Sequence, residues 1–219
     1  MKNRIKIAVL SLFVVFSFAS CSNQEKSEHS SEKAKDCTNV HWTYVQGEDG
    51  PNNWQNLCDG YSACGGEIQS PINISSNNAM ANAELSPIEI NYSSSSVDIV
   101  NNGHTVQFNI SGNSTATIGN KEYHLLQFHF HALSEHTIDG NHYPIEVHFV
   151  HKFSDTDFAV LGVMYEEGDA NDLFNKYLAH FPHSKGNYTS DDSISVAGLL
   201  PNNLSYLFKF PILRIDMTY

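Results

Sequence analysis

The sequence predicts a mainly β protein built on a central, largely antiparallel twisted sheet with a few short helices. The grounds are strand-length runs rich in Val, Ile and Phe, turn signals between them, and a single segment with helical periodicity. From Ile88 onward the runs are IEINY, VDIV before Asn101-Asn102-Gly103, TVQFNI before Ser111-Gly112-Asn113, TATI before Gly119-Asn120, HLLQFHFH, PIEVHFVHKF and FAVLGVMY. Asn171 to His180, NDLFNKYLAH, reads as helix: Asn171 or Asp172 can cap it, and Leu173, Phe174, Tyr177 and Leu178 are apolar. With 219 residues, 41% of them hydrophobic and 16% charged, the chain can bury one good-sized core, so one domain is expected. No internal repeat is evident.

The first 20 residues read as an export signal. Lys2, Arg4 and Lys6 form a basic start, Ile7 to Phe18 is almost wholly apolar, and Phe18-Ala19-Ser20-Cys21 closes the segment. The ending resembles a bacterial lipoprotein signal, in which Cys21 is lipidated and becomes the mature N-terminus, although Phe18 stands where an aliphatic residue is usual. Plain cleavage that leaves Cys21 a free thiol is the alternative. The apolar run is shorter than the ~20 residues a spanning helix needs. Residues 21–36 are small, polar and charged after the cysteine, and read as a flexible tether. The folded domain is expected at 37–206, followed by a divergent tail at 207–219. The product is expected outside the cytoplasm, periplasmic or at the cell surface, held to the membrane only by its N-terminal lipid.

Charge narrows the partners. Lys plus Arg number 12 against 24 Asp plus Glu, a formal charge of -12, and loss of residues 1–20 takes it to -15. Nucleic acid is therefore disfavoured, and so is an anionic membrane patch on the domain itself. A small neutral or anionic substrate needs a local attraction, such as a metal.

LLQFHFHALSEH, residues 125–136, supplies candidates for that metal. Side chains on a strand alternate between faces, so His129 and His131 share one face while Phe128 and Phe130 share the other. In PIEVHFVHKF, Glu146, His148 and Val150 share a face. If the two runs pair as antiparallel neighbours around a connection containing Asp139-Gly140-Asn141, His148 can face His129 and His131. Three neutral imidazoles on rigid strands leave the fourth tetrahedral position open, the arrangement of a catalytic zinc. Gln127 and Glu146 have the chemistry to hold the other ring nitrogens.

These residues carry a resemblance to the α-class carbonic anhydrases. QFHFH, SEHTIDG and PIEVHFVHK resemble the family's signature, preceded by HWTY (41–44), GPNNW (50–54), QSPINI (69–74) and NNGHT (101–105) and followed by FAVLGVMYEEG (158–168). The similarity runs from about Val40 to Leu204. It implies reversible hydration of carbon dioxide to bicarbonate and a proton. It also implies Zn2+ held by His129, His131 and His148, with Gln127 and Glu146 behind them. On the same ground, His104 matches the proton shuttle, although a histidine after Asn-Gly taken alone is a turn residue. Glu135 matches the carboxylate that orients the hydroxide through a threonine hydroxyl, and Tyr44, Asn102 and Gln107 match positions that order cavity water. Val150 and Val160 match the wall of the carbon dioxide niche, while ordinary core packing fits them equally. His136 reads as structural.

The match fails near Tyr206. The family continues into a Ser-Leu-Thr-Thr-Pro-Pro-Cys segment, whereas LLPNNLSY is followed here by LFKFPILRIDMTY. A frameshift or truncation, or else a natural short variant, accounts for this. Glu135 is expected to lack its threonine partner, and C-terminal strands are expected to be missing, with impaired activity as the consequence. The resemblance pairs Cys64 with a cysteine of that segment. Cys64 is therefore either orphaned or paired with Cys37 or Cys58. Two other functions stand beside hydration. One is a non-catalytic surface binding protein of carbonic-anhydrase-like fold. The other is a cupin, whose first half-motif fits His129-x-His131-x3-Glu135 with iron or manganese, although the second half-motif is not found.

Overall fold

The computed structural model describes residues 36–80, 86–170 and 172–201. The leader, Cys21 with the tether as far as Lys35, residues 202–206 and the tail at 207–219 lie outside the described residues. Among the described residues no helix is long and apolar enough to cross a membrane.

In chain order the elements are α1 (Trp54–Leu57), β1 (Asn73–Ile74), β2 (Glu89–Asn91), β3 (Ser94–Asn101), β4 (Val106–Ile110), β5 (Thr115–Ile118), β6 (Lys121–His131), β7 (Thr137–Ile138), β8 (Asn141–His142), β9 (Ile145–Ser154), β10 (Asp157–Tyr165), α2 (Asp172–Leu178) and β11 (Gly186–Ser195). Short 3-10 turns flank α1 and follow β11. The main sheet runs β10-β9-β6-β4-β3-β11, with β5 also pairing β6 and β2 pairing β5; every pairing in it is antiparallel. A small sheet, β1-β7-β8, stands beside it. The mainly β expectation and the single substantial helix are both observed.

One face of the main sheet is the core. β3 alternates in burial, with Val97 and Ile99 inward and Ser96 and Asp98 outward. Phe108 and Phe128 oppose one another in register, both fully buried, with their rings stacked at 4.8 Å. Val147, Phe149, Leu125, Ile194, Val196 and Leu199 complete the cluster. Burial of each such side chain stabilises by roughly 1.5–3 kcal/mol, so this layer holds the opposite face rigid.

β11 was not anticipated. GNYTSDDSIS is polar and lacks an alternating apolar signature, yet it pairs with β3 along its length, with a break in register between Ser190 and Ile194. An edge strand exposed on one side can be held by its backbone ladder and by one inward residue, here Ile194. The expected turn at Asp139-Gly140 is present: both residues have positive φ (51° and 81°), as a two-residue hairpin between β7 and β8 requires. Asp139 Oδ1 and Oδ2 accept hydrogen bonds from the backbone N–H and hydroxyl of Ser76 at 2.8 and 2.6 Å.

The cysteine question closes among the described residues. Cys37 and Cys58 form a disulfide with Cα atoms 5.3 Å apart, and Cys64 is free and exposed.

Candidate metal centre

β6 and β9 place the imidazoles. In the ladder His129 stands opposite His148, Gln127 opposite Val150 and His131 opposite Glu146. All of these point away from the Phe128–Phe149 layer. The arrangement depends on a bulge that alternation alone does not reveal: the register shifts between Leu125 and Gln127, leaving Leu126 unopposed. Leu125 therefore faces the core opposite His151, whereas Gln127, two positions later, faces the site. The three rings lie with centroids 4.7 to 5.3 Å apart. One nitrogen from each falls within 4.8 Å of the others.

The chemistry of the neighbours selects those nitrogens. Gln127 Oε1 sits 2.8 Å from Nδ1 of His129, which leaves Nε2 of that ring for the site. Glu146 Oε1 lies 2.8 Å from Nε2 of His148 without an aligned hydrogen bond, which leaves Nδ1. Nε2 of His131 is buried and has no hydrogen-bond partner. A buried imidazole nitrogen without a partner is costly unless something electron-poor meets it. Burial, reinforced by the neighbouring His148, lowers the pKa of His129 to about 3 and of His131 to about 4. Both rings are neutral near pH 7, with lone pairs available. The set of three convergent imidazoles fits a zinc ion.

Glu146 is the anchor behind them and is fully buried. Its Oε2 accepts the backbone N–H groups of Glu135 and His136, each at 2.9 Å, and its Oε1 lies 2.6 Å from Nδ1 of His136. Burial pushes this carboxyl up, but the bonds from His136 and the close approach of His148 outweigh it and hold it well below the usual carboxylate range. His136, which the sequence marks only as structural, fixes the carboxylate that orients His148. The Glu146-x-His148 pattern and the nearby His136 were the available signal. The loop between is tied down by Ser134, whose backbone N–H donates to Tyr143 O and whose hydroxyl donates to His136 O.

The sequence model of the eukaryotic-type carbonic anhydrases matches residues 49–211. The chain belongs to the α-type carbonic anhydrase family, a family of lyases. A carbonic anhydrase of Pectobacterium atrosepticum is 38% identical over 172 residues, 76% of this chain and 68% of that protein. One from Neisseria gonorrhoeae is also 38% identical, over 76% of this chain and 66% of its own length. The chain thus spans about two thirds of these relatives. Among solved structures, the α-carbonic anhydrase of Thermovibrio ammonificans, in complex with the inhibitor sulfanilamide, superposes with a TM-score of 0.70 at 38% identity, covering 75% of this chain and 73% of that one. Membership of this family replaces the cupin alternative.

Tyr44 reaches the histidine face: its ring lies 6.2 Å from that of His131, and its hydroxyl interacts with the Glu135 carboxylate. Burial, with the Glu135 charge adding to it, raises the Tyr44 pKa to about 12. The segment that carries Tyr44 is pinned by Trp54, whose indole N–H donates to Thr43 O and Asp49 O at 3.2 and 3.1 Å. This explains why HWTY and GPNNW occur together. His104 is exposed and stacks on Trp42 at 3.8 Å, with the planes 8° apart. Partial burial and the nearby His41 and Lys185 lower its pKa. Asn102 Oδ1 accepts the backbone N–H groups of His104 and Thr105, so it shapes the turn that presents His104. Gln107 opposes His129 and donates to Asn109 Oδ1 at 2.6 Å. Val150 and Val160 are opposed to one another on the histidine face, Val150 buried and Val160 45% exposed. Val160 is therefore part of an open apolar surface and not of the core.

Proposed function

We propose that this chain is a zinc-dependent carbonic anhydrase that converts carbon dioxide and water to bicarbonate and a proton. The observation that carries the reading is the convergence of three imidazole nitrogens within 4.8 Å, one of them buried without a hydrogen bond. His129 and His131 through Nε2, and His148 through Nδ1, would hold the ion. When bound, zinc supplies a Lewis acid that lowers the pKa of water to about 7, a figure established for carbonic anhydrases themselves.

The residues of the chain do the rest. Gln127 and Glu146 hold two of the rings in one orientation, so no reorganisation is needed when charge develops. Val150 and the exposed Val160 offer a small apolar patch on the same face as His148, suited to a molecule with no hydrogen to donate. His104 is placed to pass protons to solvent. It is exposed, and an imidazole can both accept and release a proton.

The test is stopped-flow measurement of carbon dioxide hydration by the purified chain, with zinc content determined in parallel. Zinc at one ion per chain and turnover abolished in His129→Ala and His148→Ala are expected. A chain that binds zinc yet does not turn over would belong with the non-catalytic relatives of this fold instead. A rate unaffected by chelation or by either substitution would refute the proposal. We also propose that the protein is exported and anchored through a lipid on Cys21, on the strength of the leader sequence. Labelled palmitate should enter the wild type and not Cys21→Ser, and equal labelling of both would contradict the anchor.

A further inference from the structure

Glu135 bears a closer relation to the imidazoles than a hydroxide-orienting role requires. Its Oε2 lies 3.2 Å from Nε2 of His131 and 3.7 Å from Nδ1 of His148, two of the three nitrogens left free for a metal. Ligands placed tetrahedrally around zinc at about 2.0–2.2 Å are roughly 3.3–3.6 Å from one another. The carboxylate oxygen therefore stands at ligand spacing from two members of the set. No aligned hydrogen bond links it to His131 Nε2, and that nitrogen makes no hydrogen bond to any other group. With the lone pair of that nitrogen turned toward the site, two electron-rich atoms face each other at short range, an arrangement that a cation shared between them relieves.

Position 135 is fixed to the centre through its backbone. Its N–H donates at 2.9 Å to Oε2 of Glu146, the carboxylate that also orients His148. The side chain has only a short distance to travel, and Tyr44 supplies it with a second partner on the wall of the site.

Resting on the zinc reading above, we propose that Glu135 Oε2 is a fourth, internal ligand, so that the resting metal site of this chain is closed by its own carboxylate. Water and small anions enter only by displacing it onto Tyr44. A tethered carboxylate competes at high effective concentration, and its charge offsets part of the attraction of the dication for an external anion. Activity is then set by how readily Glu135 lets go, which makes this carboxylate a self-inhibitory element.

The experiment uses the full chain loaded with cobalt(II), whose visible spectrum reports the ligand set. Thiocyanate and pH are titrated against the wild type, Glu135→Gln and Glu135→Asp. The wild-type spectrum is expected to be nearly insensitive to both. Glu135→Gln, and Glu135→Asp with its shorter reach, are expected to respond to both and to bind thiocyanate at least about tenfold more tightly. Should one variant fold poorly, the other carries the comparison. A wild-type spectrum that already shifts with thiocyanate and pH as the variants do overturns the internal ligand while leaving the three-histidine site intact. Failure of the wild type to bind cobalt through His129 and His148 overturns both.

Discussion

At the scale of single residues, partners decide what each histidine does. His151 shows this away from the metal face. It is buried opposite Leu125, its Nδ1 donating to Ala159 O at 3.1 Å and its Nε2 2.6 Å from the hydroxyl of Tyr92, which donates to it. Burial lowers its pKa from 6.5 to about 4, ahead of the backbone bonds that work the other way. Above pH 6.5 the folded and unfolded forms are both neutral there, and the full contribution of this site to stability is present. Between pH 6.5 and about 4 the unfolded chain holds a proton that the folded chain does not, so stability falls as pH falls, by about 3 kcal/mol across the window. His151→Gln keeps a donor and an acceptor but does not titrate. Urea unfolding of the zinc-free chain at several pH values should show a shallower slope for that variant, and an unchanged slope would contradict the assignment. The convergence of His129, His131 and His148 was legible from the two-residue alternation of QFHFH and from Glu146-x-His148, because strand period and pairing bring the three rings together. The burial of His151 was not, since a histidine on an apolar face carries no local sign of which partner satisfies it.

At the scale of elements, the centre depends on close backbone approach between β9 and β10. Gly162 is paired with His148, and a Cβ added there would lie 2.7 Å from Glu146 Oε1 and 3.7 Å from His148 Cδ2. Glu146 cannot yield cheaply, because two backbone N–H groups and His136 clamp it. Gly162→Ala is expected to destabilise the fold by about 1–3 kcal/mol and to weaken zinc binding by roughly 10-fold or more through misorientation of His148. Chelator competition and thermal unfolding measure the two effects separately. A stability loss without an affinity loss would mean that Gly162 serves packing only. The β strands themselves were readable, but the bulge at Leu126 was not: simple alternation through LLQFHFH puts Leu125 on the histidine face, and only pairing with β9 reveals that it turns inward. β11 was missed for a related reason, since its stability comes from the ladder with β3 and not from its own composition.

At the scale of the whole molecule, the N-terminal arm that carries Trp42, Tyr44 and Trp54 has few buried anchors. Cys58 is buried, and its bond to Cys37, 21 residues away, supplies one. Closing a loop of this length stabilises by about 3 kcal/mol in the chain-entropy description. Cys37→Ser should lower stability by that order in denaturant titration, and alkylation of the native protein should label Cys64. A Cys37→Ser variant as stable as the wild type would show that the arm is held by other contacts. Composition could narrow the cysteine options but not choose among them, because pairing follows the placement of the arm and not the spacing of the residues.

The position of the metal itself is the most direct test. Anomalous diffraction at the zinc edge from crystals of the loaded chain is expected to give one strong peak at about 2.0–2.1 Å from Nε2 of His129, Nε2 of His131 and Nδ1 of His148. A peak among His136, Glu146 and His148 Nε2, the other group among the described residues close enough to hold an ion, or no peak at all, would contradict it.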